Sequence, residues 1–146
     1  MNNKTILLVE DNPDDIELTR LAFDEIRLAN RLVVAHDGEE ALDYLFGRGM
    51  HANRDLGEQP QIILLDLKLP KLDGHEVLQQ IRADERTRYI PVVVMTTSDE
   101  ESDLFASYGL GANSFIRKPV DFGSFVEAVR QVGLYWLVLN VTPPAP

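Results

Sequence analysis

Residues 62–74 read Ile62-Ile63-Leu64-Leu65-Asp66-Leu67-Lys68-Leu69-Pro70-Lys71-Leu72-Asp73-Gly74. Four consecutive apolar residues ending in a carboxylate fit a strand covered on both faces, since a half-exposed strand would alternate apolar with polar. A helical segment follows at 74–83. Outward from this stretch the same order repeats. Short apolar runs at 6–9, 32–35, 92–95 and 114–116 predict four more strands. Helices are expected at about 13–28, 39–46, 99–108 and 122–132.

Local signals set the helix starts. Asn12 caps the first helix and Pro13 occupies its favoured opening position; Asp121 caps the last. Leu18, Leu21, Ala22 and Ile26 recur at helical spacing and predict one apolar face. Strands alternating with helices define a doubly wound α/β fold with a five-stranded parallel sheet. Residues 47–60 (GRGMHANRDLGEQP) predict a long exposed loop.

The chain has 146 residues, 45% of them hydrophobic and 26% charged, with a formal net charge of −10. That length suits one domain with a substantial core, taken as residues 1–133. The acidic balance and scattered Lys and Arg argue against nucleic acid and against anionic membranes as partners. No Cys is present, which excludes disulfides and thiolate metal sites. The apolar run after Lys4 is too short for a signal peptide or a membrane span, so the expected location is cytoplasmic. Residues 134–146 form an apolar extension. Large apolar residues exposed on a soluble monomer would be a liability, so Tyr135, Trp136, Leu137 and Leu139 are expected to form a homodimer interface.

The chemistry gathers at the C-terminal ends of the strands, where an open parallel sheet binds its ligands. Strand one ends in Glu10-Asp11, strand three in Asp66, strand four in Thr96-Thr97-Ser98, and strand five runs into Lys118-Pro119. Three carboxylates on one rim repel unless a positive charge lies between them. An all-oxygen cluster of this kind suits Mg²⁺. With a lysine and a threonine beside it, the set reads as a phosphoryl site with an aspartate nucleophile.

These motifs resemble the response-regulator receiver domain over about residues 4–132. The matching stretches are Leu7-Leu8-Val9-Glu10-Asp11-Asn12, Leu64 through Gly74, Thr96, and Gly111 through Pro119. Thr96 follows Asp66 by thirty positions and Lys118 follows Thr96 by twenty-two. The resemblance implies a flavodoxin-like, chemotaxis-regulator-like sheet of order 2-1-3-4-5. It also implies that Asp66 accepts a phosphoryl group from the phosphohistidine of a sensor histidine kinase. Mg²⁺ would be bound by Asp11, Asp66 and the backbone carbonyl of Lys68, with Glu10 acting through water. Lys118 would contact the phosphoryl oxygens, Thr96 would be the switch hydroxyl and Phe115 the ring that follows it. A cis Lys118–Pro119 bond would aim the lysine. More narrowly, Val9 through Asp15, the long loop, Thr96-Thr97-Ser98 and the apolar tail resemble single-domain regulators paired with phytochrome-type histidine kinases.

Other readings compete. Glu10 and Asp11 could simply favour a helix N-terminus, and Phe115 could be ordinary core. Asp14, Asp15 and Glu17 read as a solvated helix face, and His36, His51 and His75 as surface residues. A Mg²⁺-dependent phosphatase with an aspartyl intermediate is a second function class, but one such group wants an acid two residues after the nucleophile, where Lys68 stands. A phosphorylation-independent adaptor is a third, opposed by the complete acid, Thr and Lys set.

Overall fold

The computed structural model describes residues 4–26, 30–141 and 143. Five strands, β1 (Lys4–Val9), β2 (Asn30–Ala35), β3 (Ile62–Leu65), β4 (Val92–Thr96) and β5 (Ser114–Arg117), alternate with five helices. The helices are α1 (Pro13–Ile26), α2 (Gly38–Phe46), α3 (Gly74–Ala83), α4 (Glu101–Gly109) and α5 (Phe122–Leu134). The strands pair in parallel in the order β2-β1-β3-β4-β5. The order reverses between β1 and β3, which is where such sheets hold their ligands.

The continuous apolar runs fill two cores. Leu7, Val9, Ile63, Leu65, Val92 and Val94 face α2 and α3, while Ile6, Leu8, Ile62, Leu64, Val93 and Met95 face the other side with Ala22, Phe23, Phe125 and Val129. Successive strand residues point to opposite faces, and both faces are covered. Every residue of β3 and β4 is therefore buried.

The caps form as expected at α1 and α5. Asn12 Oδ1 accepts from the Asp14 and Asp15 amides at 2.9 and 3.2 Å, and Asp121 accepts from the Ser124 amide at 2.9 Å. The apolar face of α1 differs from expectation. Leu21 is 42% exposed, whereas Thr19 and Phe23 are buried. The helix rests on α5 as well as on the sheet, which rotates its buried stripe toward Thr19, Ala22 and Phe23. Thr19 tolerates burial because its hydroxyl donates to the Asp15 carbonyl at 2.7 Å. Residues 27 and 28, expected to finish this helix, lie outside the described residues.

The 47–60 loop is more ordered than its composition suggests. Gly47 closes α2 in the left-handed conformation at φ 66°, and Gly49–His51 form one 3₁₀ turn. Arg54 then ties the loop down. It donates to the Tyr44 carbonyl at 2.6 Å, to the Glu58 carbonyl at 2.8 Å and to Gln59 Oε1 at 2.7 Å, and its guanidinium lies 4.0 Å from the centre of the Tyr44 ring.

The tail continues α5 as a π-helical turn, Tyr135–Leu139. Leu137 was expected to face a partner but is 1% exposed and belongs to the α1–α5 core, with Trp136 packed against the same core. Tyr135, Val138 and Leu139 remain exposed. Trp136 and Asn140 share a cavity with Tyr89, Pro91 and Asn113. Those residues precede β4 and β5, so the tail lies at the N-terminal end of the sheet, opposite the rim that carries the acids.

Candidate functional site

The strand register sets up the rim. Val9 pairs with both Ala35 and Leu65, Leu65 with Val94, and Thr96 with Arg117. β1, β2 and β3 therefore end level, while β4 and β5 run two residues further, to Thr96 and Arg117. The Glu10 amide donates to the Ala35 carbonyl at 2.9 Å and the Asp66 amide to the Val9 carbonyl at 3.1 Å. These bonds fix both carboxylates one step past the sheet.

The β3–α3 loop is held tightly behind Asp66. The Lys68 amide donates to Asp66 Oδ1 at 3.2 Å and the Gly74 amide to the Leu67 carbonyl at 2.9 Å. Lys71 adopts the left-handed conformation at φ 67°, a cost the loop must offset elsewhere. Its ammonium lies 3.5 Å from Asp37.

Lys118 is the centre of the site. Its ammonium donates to Glu10 Oε1 at 2.5 Å, Asp15 Oδ2 at 2.8 Å and Asp66 Oδ2 at 2.9 Å. Its side chain is 5% exposed. Three donors meet three carboxylates, so its hydrogen-bonding capacity is filled. Burial opposes the lysine's charge, but the Asp15 hydrogen bond, the Asp66 charge and Glu10 outweigh it and raise its pKa. Burial also pushes the Glu10 carboxyl up to about 7; Lys118 opposes this rise and the charge on Asp66 adds to it. Carboxylates outnumber the ammonium, and the most buried acid ionises reluctantly.

The expected cis bond before Pro119 is absent among the described residues. The bond has the trans form that X–Pro prefers by about 0.5–1 kcal/mol. The lysine is instead aimed by its backbone, whose amide donates to the Thr96 carbonyl at 2.8 Å, and by its three carboxylates.

Glu10, Asp11 and Asp66 each place one carboxylate oxygen within 4.8 Å of the others. This hard, all-oxygen set could hold a divalent cation. Thr96 is fully buried at the end of β4, its hydroxyl accepting from the Ser98 amide at 3.3 Å. The Ser98 hydroxyl donates to Asp103 of α4 at 2.6 Å. Phe115 sits half-buried on β5 against the α2–α3 core. The tail residues stand apart from this rim.

Asp15 is the member that reading the sequence as a solvated helix face missed. It lies four residues after Asp11, in the first turn of α1. A helix start fixed by Asn12 and Pro13 brings that position back over the strand ends, and this spacing was the available signal.

Residues 6–130 match the response regulator receiver domain, and the chain belongs to that family. As such it is a component of two-component signalling, with a histidine kinase as partner. It is 44% identical over 140 residues to the probable methanogenesis regulatory protein FilR2 of Methanothrix harundinacea, covering 94% of this chain and 86% of that protein. It is 38% identical to response regulator Rcp1 of Synechocystis, covering 97% and 94% of the two chains. The crystal structure of the phosphorylated cyanobacterial phytochrome response regulator RcpA superposes with a TM-score of 0.92 at 40% identity, over 97% of this chain and 99% of that one. A structure of Rcp1 has Mn²⁺ bound; it aligns with a TM-score of 0.89 at 36% identity, over 96% of this chain and 99% of that one. Among the described residues no helix is long and apolar enough to cross a membrane.

Proposed function

We propose that Asp66 is the phosphoacceptor of a phosphorylation-controlled binding switch. The observation that carries this reading is the convergence on Asp66 of Lys118, at 2.9 Å, and of two further acids, Glu10 and Asp11. A carboxylate oxygen of Asp66 attacks the phosphorus of the kinase's phosphohistidine in line. The P–N bond breaks, and the imidazole leaves with the bonding pair and takes up a proton. The acyl phosphate that forms leaves Asp66 without its own charge, and Lys118 turns its freed donors to the phosphoryl oxygens. Mg²⁺ is the proposed cation, held by Asp11, Asp66 and the Lys68 carbonyl, with Glu10 beside it; its chemistry is neutralisation of phosphoryl charge.

Thr96 is the proposed switch hydroxyl and Phe115 the ring that follows it, so that phosphorylation alters the surface near α4 and β5. The likeness to the phytochrome response regulator RcpA supports a phytochrome-type kinase as partner, and the cytoplasm is the proposed location. Residues 1–133 would be the receiver domain and 134–146 an extension, in which Tyr135, Leu139 and the edge of Trp136 serve a homodimer. With Leu137 occupied in the core, Val138 joins the exposed set.

Acetyl phosphate with Mg²⁺ should add one phosphoryl group by intact mass spectrometry, and Asp66→Asn should abolish it. Thr96→Ala should be labelled yet lose the phosphorylation-dependent change in kinase binding. Undiminished labelling of Asp66→Asn, or none in the wild type, would sink the reading.

A further inference from the structure

Lys118 spends its three N–H groups on Glu10, Asp15 and Asp66. Two of these partners have other work under the function proposed above, on which this inference rests. Asp66 becomes an acyl phosphate, and Glu10 stands with the cation-binding acids. Asp15 has neither role.

Asp15 is also held from a different direction. It comes from the first turn of α1, where Asn12 accepts from its amide at 3.2 Å and its carbonyl accepts from Thr19 at 2.7 Å. Its side chain is 21% exposed, against 5% for the lysine it meets. We propose that Asp15 is a positioning residue: it retains one N–H of Lys118 throughout the cycle, anchors the ammonium to α1, and shares its charge so that the site holds an anionic phosphoryl group less tightly.

The two parts of this role separate chemically. An asparagine at position 15 keeps an acceptor oxygen in place and removes the charge; an alanine removes both. One charge beside a partly buried ammonium changes anion affinity by an amount readable in binding, on the order of three- to tenfold. Folding is protected in the asparagine variant because Asn12, not the Asp15 side chain, caps the helix.

The test uses the full chain with beryllofluoride as the anionic phosphoryl analogue, at saturating Mg²⁺, measured by calorimetry. Asp15→Asn should bind it about three- to tenfold more tightly than the wild type. A second readout needs neither metal nor anion. With ¹⁵N-labelled lysine, the Lys118 ammonium should give an exchange-protected signal in the wild type and in Asp15→Asn, and lose it in Asp15→Ala. A merely structural Asp15 would move stability but not these readouts in this pattern. Equal or weaker beryllofluoride binding by Asp15→Asn overturns the charge-sharing role, and a protected ammonium in Asp15→Ala overturns the anchoring role. A wild type that binds no beryllofluoride overturns the phosphoacceptor reading itself, so the two failures are told apart.

Discussion

Replacing Gly74 with alanine tests how tightly the β3–α3 loop is wedged behind Asp66. A Cβ at position 74 would lie 2.5 Å from the Asp66 carbonyl oxygen and 2.6 Å from Leu67 Cα. Gly74 is the first residue of α3, behind an Asp73 cap that accepts from the Glu76 amide at 3.0 Å. In an open helix this substitution would stabilise by about 0.5–1 kcal/mol through a lower unfolded-state entropy. Here the colliding atoms are backbone and cannot rotate aside. Overpacking of this kind costs about 1–3 kcal/mol, and shifting the loop threatens the Gly74–Leu67 hydrogen bond, about 1 kcal/mol more. The clash outweighs the propensity, leaving a net loss of about 1–3 kcal/mol. At about 2–4 °C per kcal/mol for a domain of this size, Tm should fall by about 2–12 °C. Calorimetry of the metal-free protein reads it directly. Gly109 supplies the control, since a Cβ there would meet nothing within 4 Å, and Gly109→Ala should not lower Tm. A Gly74→Ala protein as stable as the wild type would refute the close-packing account of this loop.

Two further outcomes follow from burial. Folded Glu10 is raised to about 7 from an ordinary 4.5, so between those values the folded chain keeps a proton that the unfolded chain has released. Stability of the metal-free protein should therefore fall as pH rises from about 4.5 to about 7. Urea midpoints of the wild type that decline no more steeply over this window than those of Glu10→Gln would contradict it. In the tail, Leu137→Ala should cost about 2–5 kcal/mol without changing sedimentation, whereas Leu139→Glu should leave stability within about 0.5 kcal/mol and shift the chain toward monomer. Unaltered sedimentation of Leu139→Glu would reject the dimer surface.

Most of the fold was legible because apolar runs and helix periods encode a parallel sheet directly. Ile62 through Leu65 could be read as doubly covered from four residues alone. Strand ends placed Glu10, Asp66 and Lys118 on one rim before any distance was known. What stayed hidden depends on how elements pack together. The stripe of α1 turned away from Leu21 because α5 competes with the sheet for its contact, and an amphipathic pattern records only that a face exists. Leu137 looked exposed because the tail lies past the last repeat, yet the π-helical turn that continues α5 places it in the core. Asp15 shared its composition with a solvated face, and only the first turn of α1 shows that it points at Lys118. Arg54 brought order to a loop whose Gly and polar content signalled none.

The position of α5 has a mechanical consequence. Its first turn is capped by Asp121, three residues beyond Lys118, and its last turn passes into Tyr135. Thirteen residues make a rod of about 20 Å. Pivoted at the lysine end, a tilt of about 3° carries the far end through about 1 Å. A helix of this length would serve as a lever arm between the lysine end of the rim and the tail, turning a small tilt at Asp121 into a displacement at Tyr135.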